Sequence, residues 1–183
     1  MDTERMNIKN ILLVEDDPQD VQLTLSGLKE NHLANKVEVV RDGAEALDYL
    51  YRRGKFKTRA NGQPVVVMLD LKMPKVGGLE VLRQIKADDQ LKMIPVVIFS
   101  SSRETPDLIE CYRDGANAYV VKPVDFHEFI QVVKQLGLFW AIVNEPPPYI
   151  GKEEIEISSD EMILLPEKEV KDGIPSPHFA LGG

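Results

Sequence analysis

The chain has 183 residues, 43% hydrophobic and 28% charged, with a formal net charge of −8 and a single cysteine, Cys111. That is a globular composition without the cationic footprint that holds nucleic acid through its phosphates, and one cysteine excludes an intramolecular disulfide. The opening MDTERMNIKN has neither a basic n-region nor an apolar h-region, and no apolar run nears the roughly 18 residues of a membrane span, so a cytoplasmic protein with no nucleic-acid or membrane partner is expected.

In chain order, IKNILLVE (8–15) reads as a first strand, followed by a helical pattern near 18–31. Asp17-Pro18 between them suits a helix cap followed by proline at the first helical position. KVEVVR (36–41) is a second strand, and Ala46, Leu47, Leu50 and Tyr51 fall at helical spacing over 43–53. The connection YRRGKFKTRANGQ (51–63) then carries Arg52, Arg53, Lys55, Lys57 and Arg59 with no acid among them; a solvated loop is the more common fate of such a stretch, a docking site the less common. PVVVMLD (64–70), IPVVIFS (94–100) and NAYVVK (117–122) complete the strands, with helices expected near 79–88, 105–115 and 125–143. Runs 65–69 and 96–99 are apolar throughout, as strands covered on both faces are. Strict βα alternation, five times over, predicts a doubly wound α/β fold with a parallel five-stranded sheet; periodicity does not give the strand order. After Glu145, Pro146-Pro147-Pro148 begins a segment in which residues 145–183 hold nine acids and three bases.

Ligand groups in such folds gather beyond the carboxyl ends of the strands. There stand Glu15, Asp16 and Asp17, then Asp70, Ser100 and Lys122. Carboxylates brought together repel one another unless a hard cation joins them, and oxygen donors suit Mg²⁺ or Mn²⁺. A carboxylate beside an ammonium and a hydroxyl is a place for a transferred phosphoryl group. Asp17 is better read as a helix cap than as a ligand. Cys111 reads as an ordinary core residue, and His32, His127 and His178 are scattered.

LLVEDD (12–17), MLDLKMP (68–74), IFSSS (98–102) and YVVKP (119–123), with 30 residues from Asp70 to Ser100 and 52 from Asp70 to Lys122, resemble the motifs of response-regulator receiver domains. The match spans about 8–143. The resemblance implies a flavodoxin-like (βα)5 sandwich with strand order 2-1-3-4-5. It implies a receiver domain over 1–145 and a Pro-started acidic tail over 146–183, partly ordered or disordered. It makes Asp70 the phosphoacceptor in a two-component phosphorelay and Lys122 the phosphoryl counter-ion. Asp16, Asp70 and the backbone carbonyl of Lys72 become the ligands of Mg²⁺ or Mn²⁺, with Glu15 acting through water. Ser100 and Tyr119 form the conformational switch, and Lys72 and Ser102 stand where the family tunes acyl-phosphate lifetime. A cis bond before Pro123 is usual in the family.

The basic connection, SSSRE (100–104) and the ending KPVDFHEFIQVVKQLGLFWAIVNEPPP (122–148) are similar to the small regulators of bacterial and cyanobacterial phytochromes. That implies a sensor histidine kinase as partner, possibly a bacteriophytochrome. It also implies a homodimer through the face of the fourth helix, fifth strand and fifth helix. The last helix is wider in apolar residues than one core-facing stripe needs, so Phe139 and Trp140 are expected at that interface, the alternative being cover by the tail. The regulator is expected to catalyse only its own phosphorylation and dephosphorylation. A phosphatase of the Asp-nucleophile kind would want a second Asp where Lys72 stands. A flavodoxin would not place Glu15, Asp16 and Asp17 against FMN phosphate. EEIEIS (153–158) and MILL (162–165) are read as strands of a hairpin.

Overall fold

The computed structural model describes residues 10–60 and 62–147. The expected hairpin and nearly all of the acidic tail lie outside the described residues.

Strands β1 (Ile11–Val14), β2 (Val37–Val40), β3 (Val66–Leu69), β4 (Val96–Ser100) and β5 (Ala118–Val121) form one parallel sheet in the order β2-β1-β3-β4-β5. Helices α1 (Pro18–Lys29), α2 (Gly43–Leu50), α3 (Gly78–Ala87), α4 (Thr105–Arg113) and α5 (Phe126–Leu138) alternate with them. The continuously apolar strands are explained by two cores, one on each sheet face. Leu12, Val14, Val67, Leu69, Val96 and Ile98 point to the side covered by α2, α3 and α4. Ile11, Leu13, Val66, Met68, Val97 and Phe99 point to the side covered by α1 and α5. Period-2 geometry divides each strand between the two layers.

The two layers are closed differently. On the α1–α5 side a Cβ at Gly137 would stand 2.3 Å from the Leu28 side chain, and one at Gly27 would stand 2.9 Å from Val133. Glycine at both positions is what lets these helices approach. On the other side Val81, Leu82 and Ile85 of α3 are fully buried, and Cys111 of α4 seals the same core. Burial and the acids Asp107, Asp114 and Glu110 push the Cys111 thiol up to about 11, so it packs as a small apolar group.

Helix ends differ from the periodic reading. The first helix stops at Lys29 and the chain turns through His32 at φ 56°, while the second stops at Leu50 before Arg52 at φ 54°. Neither left-handed residue is glycine, so composition did not announce the stops. The fifth helix is α-helical only to Leu138 and continues as a π-helical turn over Phe139–Val143. Among the described residues no peptide bond is cis, so the expected cis bond before Pro123 is corrected to trans. Lys122 is instead placed by continuing the sheet, its N–H donating to the Ser100 carbonyl at 2.9 Å.

The basic connection is folded largely onto its own domain. The Arg59 guanidinium lies 4.2 Å from the Tyr49 ring centre and donates to the carbonyls of Tyr49 and Gly62. Phe56 is buried edge-to-face against Tyr49, and Lys55 pairs with Glu45. No helix among the described residues is long and apolar enough to cross a membrane.

Candidate metal and phosphoryl site

Parallel pairing brings the carboxyl ends of β1, β3, β4 and β5 to one edge. The ladder runs one residue past the strands: the Asp70 N–H donates to Val14 O at 3.0 Å, and the Glu15 N–H to Val40 O at 3.0 Å. Side chains at 15, 16 and 70 therefore share one rim. Oxygen atoms of Glu15, Asp16 and Asp70 all lie within 4.8 Å of one another. Glu15 and Asp70 are buried and Asp16 faces solvent more.

Lys122 enters this cluster from β5. Its Nζ lies 2.6 Å from Glu15 Oε2, 2.8 Å from Asp20 Oδ2 and 3.6 Å from Asp70 Oδ2. Burial works against its charge, yet the hydrogen bonds to Asp20 and Glu15 outweigh it and hold the ammonium above its ordinary pKa. Burial pushes the Glu15 carboxyl up to about 7, with Lys122 pulling it down and Asp70 adding to the rise. Among the described residues, one ammonium faces the four carboxyl groups of Glu15, Asp16, Asp20 and Asp70, which leaves the rim short of positive charge. A hard divalent cation with oxygen ligands supplies it, so the residues present fit Mg²⁺ or Mn²⁺.

The surrounding backbone holds this geometry. Asp17 caps α1, its carboxylate accepting from the N–H of Gln19 at 2.7 Å, and its own N–H donates to Glu15 Oε1 at 3.2 Å. Asp17 is thus a cap that also steadies Glu15. The Leu71 N–H donates to Asp70 Oδ1 at 2.8 Å. Lys72 follows on the exposed β3–α3 loop.

Ser100, fully buried at the end of β4, is joined to Tyr119 through Ser102. The Ser102 N–H donates to Ser100 Oγ at 3.4 Å, and the Tyr119 hydroxyl donates to the Ser102 carbonyl at 3.1 Å. Ser102 Oγ also donates to Asp107 in the first turn of α4 at 2.6 Å. Phe139 and Trp140 lie apart from this site, at the end of α5, their rings edge-to-face at 5.0 Å. Phe139 is 48% exposed, whereas Trp140 is half-buried against the α1–α5 core.

Two members of the network were missed from the sequence. Asp20 lies in the first turn of α1, beyond the Asp17 cap, and looks like an ordinary first-turn acid. Asp107 looks like any N-terminal helix acid. The regularity of the cap at Asp17 was the available signal for Asp20, since it sets which way the first turn faces.

Similarity to known proteins agrees with this geometry. The model of the response regulator receiver domain matches residues 11–134. Response regulator Rcp1 of Synechocystis is 34% identical over 132 residues, covering 72% of this chain and 88% of Rcp1. Its Mn²⁺-bound crystal structure aligns with a TM-score of 0.71 at 33% identity, over 76% of this chain and 99% of that one. The phosphorylated cyanobacterial phytochrome response regulator RcpA aligns with a TM-score of 0.72 at 36% identity, over 76% and 99% of the two chains. Bacteriophytochrome response regulator RtBRR is 56% identical with a TM-score of 0.61, over 76% and 84%. The chain belongs to the response regulator receiver family, whose members work in two-component signalling with histidine kinases, and its Glu15, Asp16 and Asp70 cluster is consistent with divalent-cation binding.

Proposed function

We propose that this chain takes a phosphoryl group onto Asp70 from the phosphohistidine of a sensor kinase and later releases it by hydrolysis. The observation that carries the reading is the convergence of Glu15, Asp16 and Asp70 oxygens with the buried ammonium of Lys122. In the transfer a carboxylate oxygen of Asp70 bonds to phosphorus, the donor N–P bond breaks, and the imidazole nitrogen leaves with the electron pair. Lys122, 3.6 Å from Asp70 Oδ2, offsets the charge arriving on the phosphoryl oxygens. Asp16, Asp70 and the Lys72 carbonyl are the direct cation ligands in this reading, with Glu15 acting through water. When bound, the divalent cation neutralises charge that would otherwise repel the incoming anion. Ser100 contacts the phosphoryl group and Tyr119 responds, through their shared neighbour Ser102.

The partner is a histidine kinase, and the likeness to RcpA and RtBRR favours a phytochrome-type kinase. The receiver unit runs through about residue 145, with the acidic tail appended, and works in the cytoplasm without nucleic acid. A homodimer uses the α4–β5–α5 face, where Ile109, Tyr112, Leu138 and Phe139 are exposed. Phe139→Ala should move the sedimentation coefficient toward that of a monomer, and an unchanged dimer places the interface elsewhere.

Incubation with acetyl phosphate and Mg²⁺ tests the function. One phosphoryl group per chain should be gained and then lost over time, and EDTA should prevent the gain. Continuous turnover of phosphate esters would instead reveal a phosphatase. Asp16→Ala should weaken Mg²⁺ binding about ten-fold or more, measured by calorimetry; unchanged affinity removes Asp16 as a ligand.

A further inference from the structure

The Lys122 ammonium meets one more carboxylate than the matched motifs supply. Asp20 reaches it at 2.8 Å, yet belongs to none of LLVEDD, MLDLKMP, IFSSS or YVVKP. Its position is set by local structure. Asp17 caps the helix, Pro18 opens it, and Asp20 falls in the first turn with its N–H directed at the cap. From that turn the Asp20 carboxylate meets the Lys122 ammonium, whose side chain reaches from the end of β5 as far as Glu15.

We propose that Asp20 is a positioning residue that lets a divalent cation and the Lys122 ammonium occupy the site together. The inference rests on reading Glu15, Asp16 and Asp70 as the residues that hold the cation. In the present arrangement Lys122 leans on Glu15 at 2.6 Å and faces Asp70 at 3.6 Å. A cation held among the cluster draws on those same two carboxylates. It also repels the ammonium, and at a few ångströms in a largely desolvated pocket that repulsion far exceeds thermal energy. Asp20 is not one of the three residues whose oxygens approach within 4.8 Å of one another. Its carboxylate therefore stays with Lys122 while the others turn to the cation. Without it, the ammonium either competes for the cation's place or leaves the pocket, and then no longer stands beside the phosphoryl position on Asp70.

A distant negative charge would also aid cation binding, so the test must isolate the path through Lys122. Mg²⁺ affinity is measured by calorimetry for the parent, Asp20→Asn, Lys122→Gln and the double variant. Asp20→Asn should weaken Mg²⁺ binding about ten-fold beside the native lysine, but less than about two-fold beside Lys122→Gln. Equal losses in both backgrounds would mean a through-space charge effect and would overturn the proposal, as would no loss in either. Asp20→Glu keeps the charge on a longer arm and should return affinity to within about three-fold of the parent. An Asp20→Glu protein as weak as Asp20→Asn also overturns it. A parent protein that binds no Mg²⁺ removes the cation reading itself, an outcome distinct from a failed cycle.

Discussion

Asp70→Asn should abolish phosphoryl uptake, by about a thousand-fold or more in rate, while leaving the protein no less stable than the parent. The two halves of this expectation have different causes. An amide offers no anionic oxygen to attack phosphorus and contributes no charge to a cation. Yet the amide is nearly the same size, and its oxygen can still accept from the Leu71 N–H, the contact that Asp70 Oδ1 makes at 2.8 Å. Asp70 is buried and its oxygens crowd those of Glu15 and Asp16. Among the described residues only Lys122 is paired with them, and it is closer to Glu15 and Asp20 than to Asp70. Removing the Asp70 charge therefore relieves more repulsion than it loses attraction. Urea unfolding followed by circular dichroism should give a midpoint at or above the parent's. Retained uptake in the variant removes Asp70 as acceptor, and a large drop in midpoint contradicts the electrostatic account of the rim.

Gly78→Ala should destabilise the fold by about 3 kcal/mol and lower phosphoryl uptake along with it. Gly78 is the first residue of α3, where alanine's better helix propensity would on its own favour the variant by about 1 kcal/mol. Sterics decide the sign. A Cβ at 78 would stand 2.0 Å from the Asp70 carbonyl oxygen and 2.8 Å from Leu71 Cα. Both are backbone atoms at the end of β3, and neither can turn aside as a side chain would. The helix must lift from the sheet, breaking the bond from the Gly78 N–H to the Leu71 carbonyl at 3.0 Å. Asp70 moves with that loop. Thermal unfolding temperature and the rate of labelling by acetyl phosphate should fall together, and a variant as stable as the parent would contradict the close approach of α3 to the end of β3.

The architecture was legible because its signals are redundant. Five apolar runs alternate with five helical patterns, and only a parallel sheet covered on both faces buries Val65–Leu69 and Val96–Phe99 throughout. The cluster was legible for a related reason: once the sheet is parallel, every strand's carboxyl end lies on one edge, so Glu15, Asp16, Asp70 and Lys122 converge without further information, and Ser100 ends the strand beside β3. The parts that escaped depend on angles no periodicity encodes. Asp20 joins the site because the first turn of α1, set by the cap at Asp17, brings its carboxylate to the Lys122 ammonium. Ser102 links Ser100, Tyr119 and Asp107 because of how the β4–α4 loop folds back. The helix ends at His32 and Arg52 use left-handed backbone at residues that composition does not single out. The wide apolar stripe of the last helix resolves into Phe129 and Val133 inside, Trp140 half-buried, and Phe139, Ile142 and Val143 exposed, a division set by the π-helical turn that follows α5.

The basic connection over 51–63 uses part of its charge on its own domain. Arg59 stacks on Tyr49 and fastens the loop, and Lys55 is paired with Glu45. Much of that charge serves the domain's own surface, consistent with the solvated-loop reading.

The most direct test of the account is to find where the phosphoryl group resides. After brief incubation with acetyl phosphate and Mg²⁺, borohydride reduces an aspartyl phosphate to homoserine, and peptide mass spectrometry then locates it. The account predicts homoserine at position 70 alone, and none when EDTA is present. A label on any other residue, or the same yield of homoserine without the metal, would contradict it.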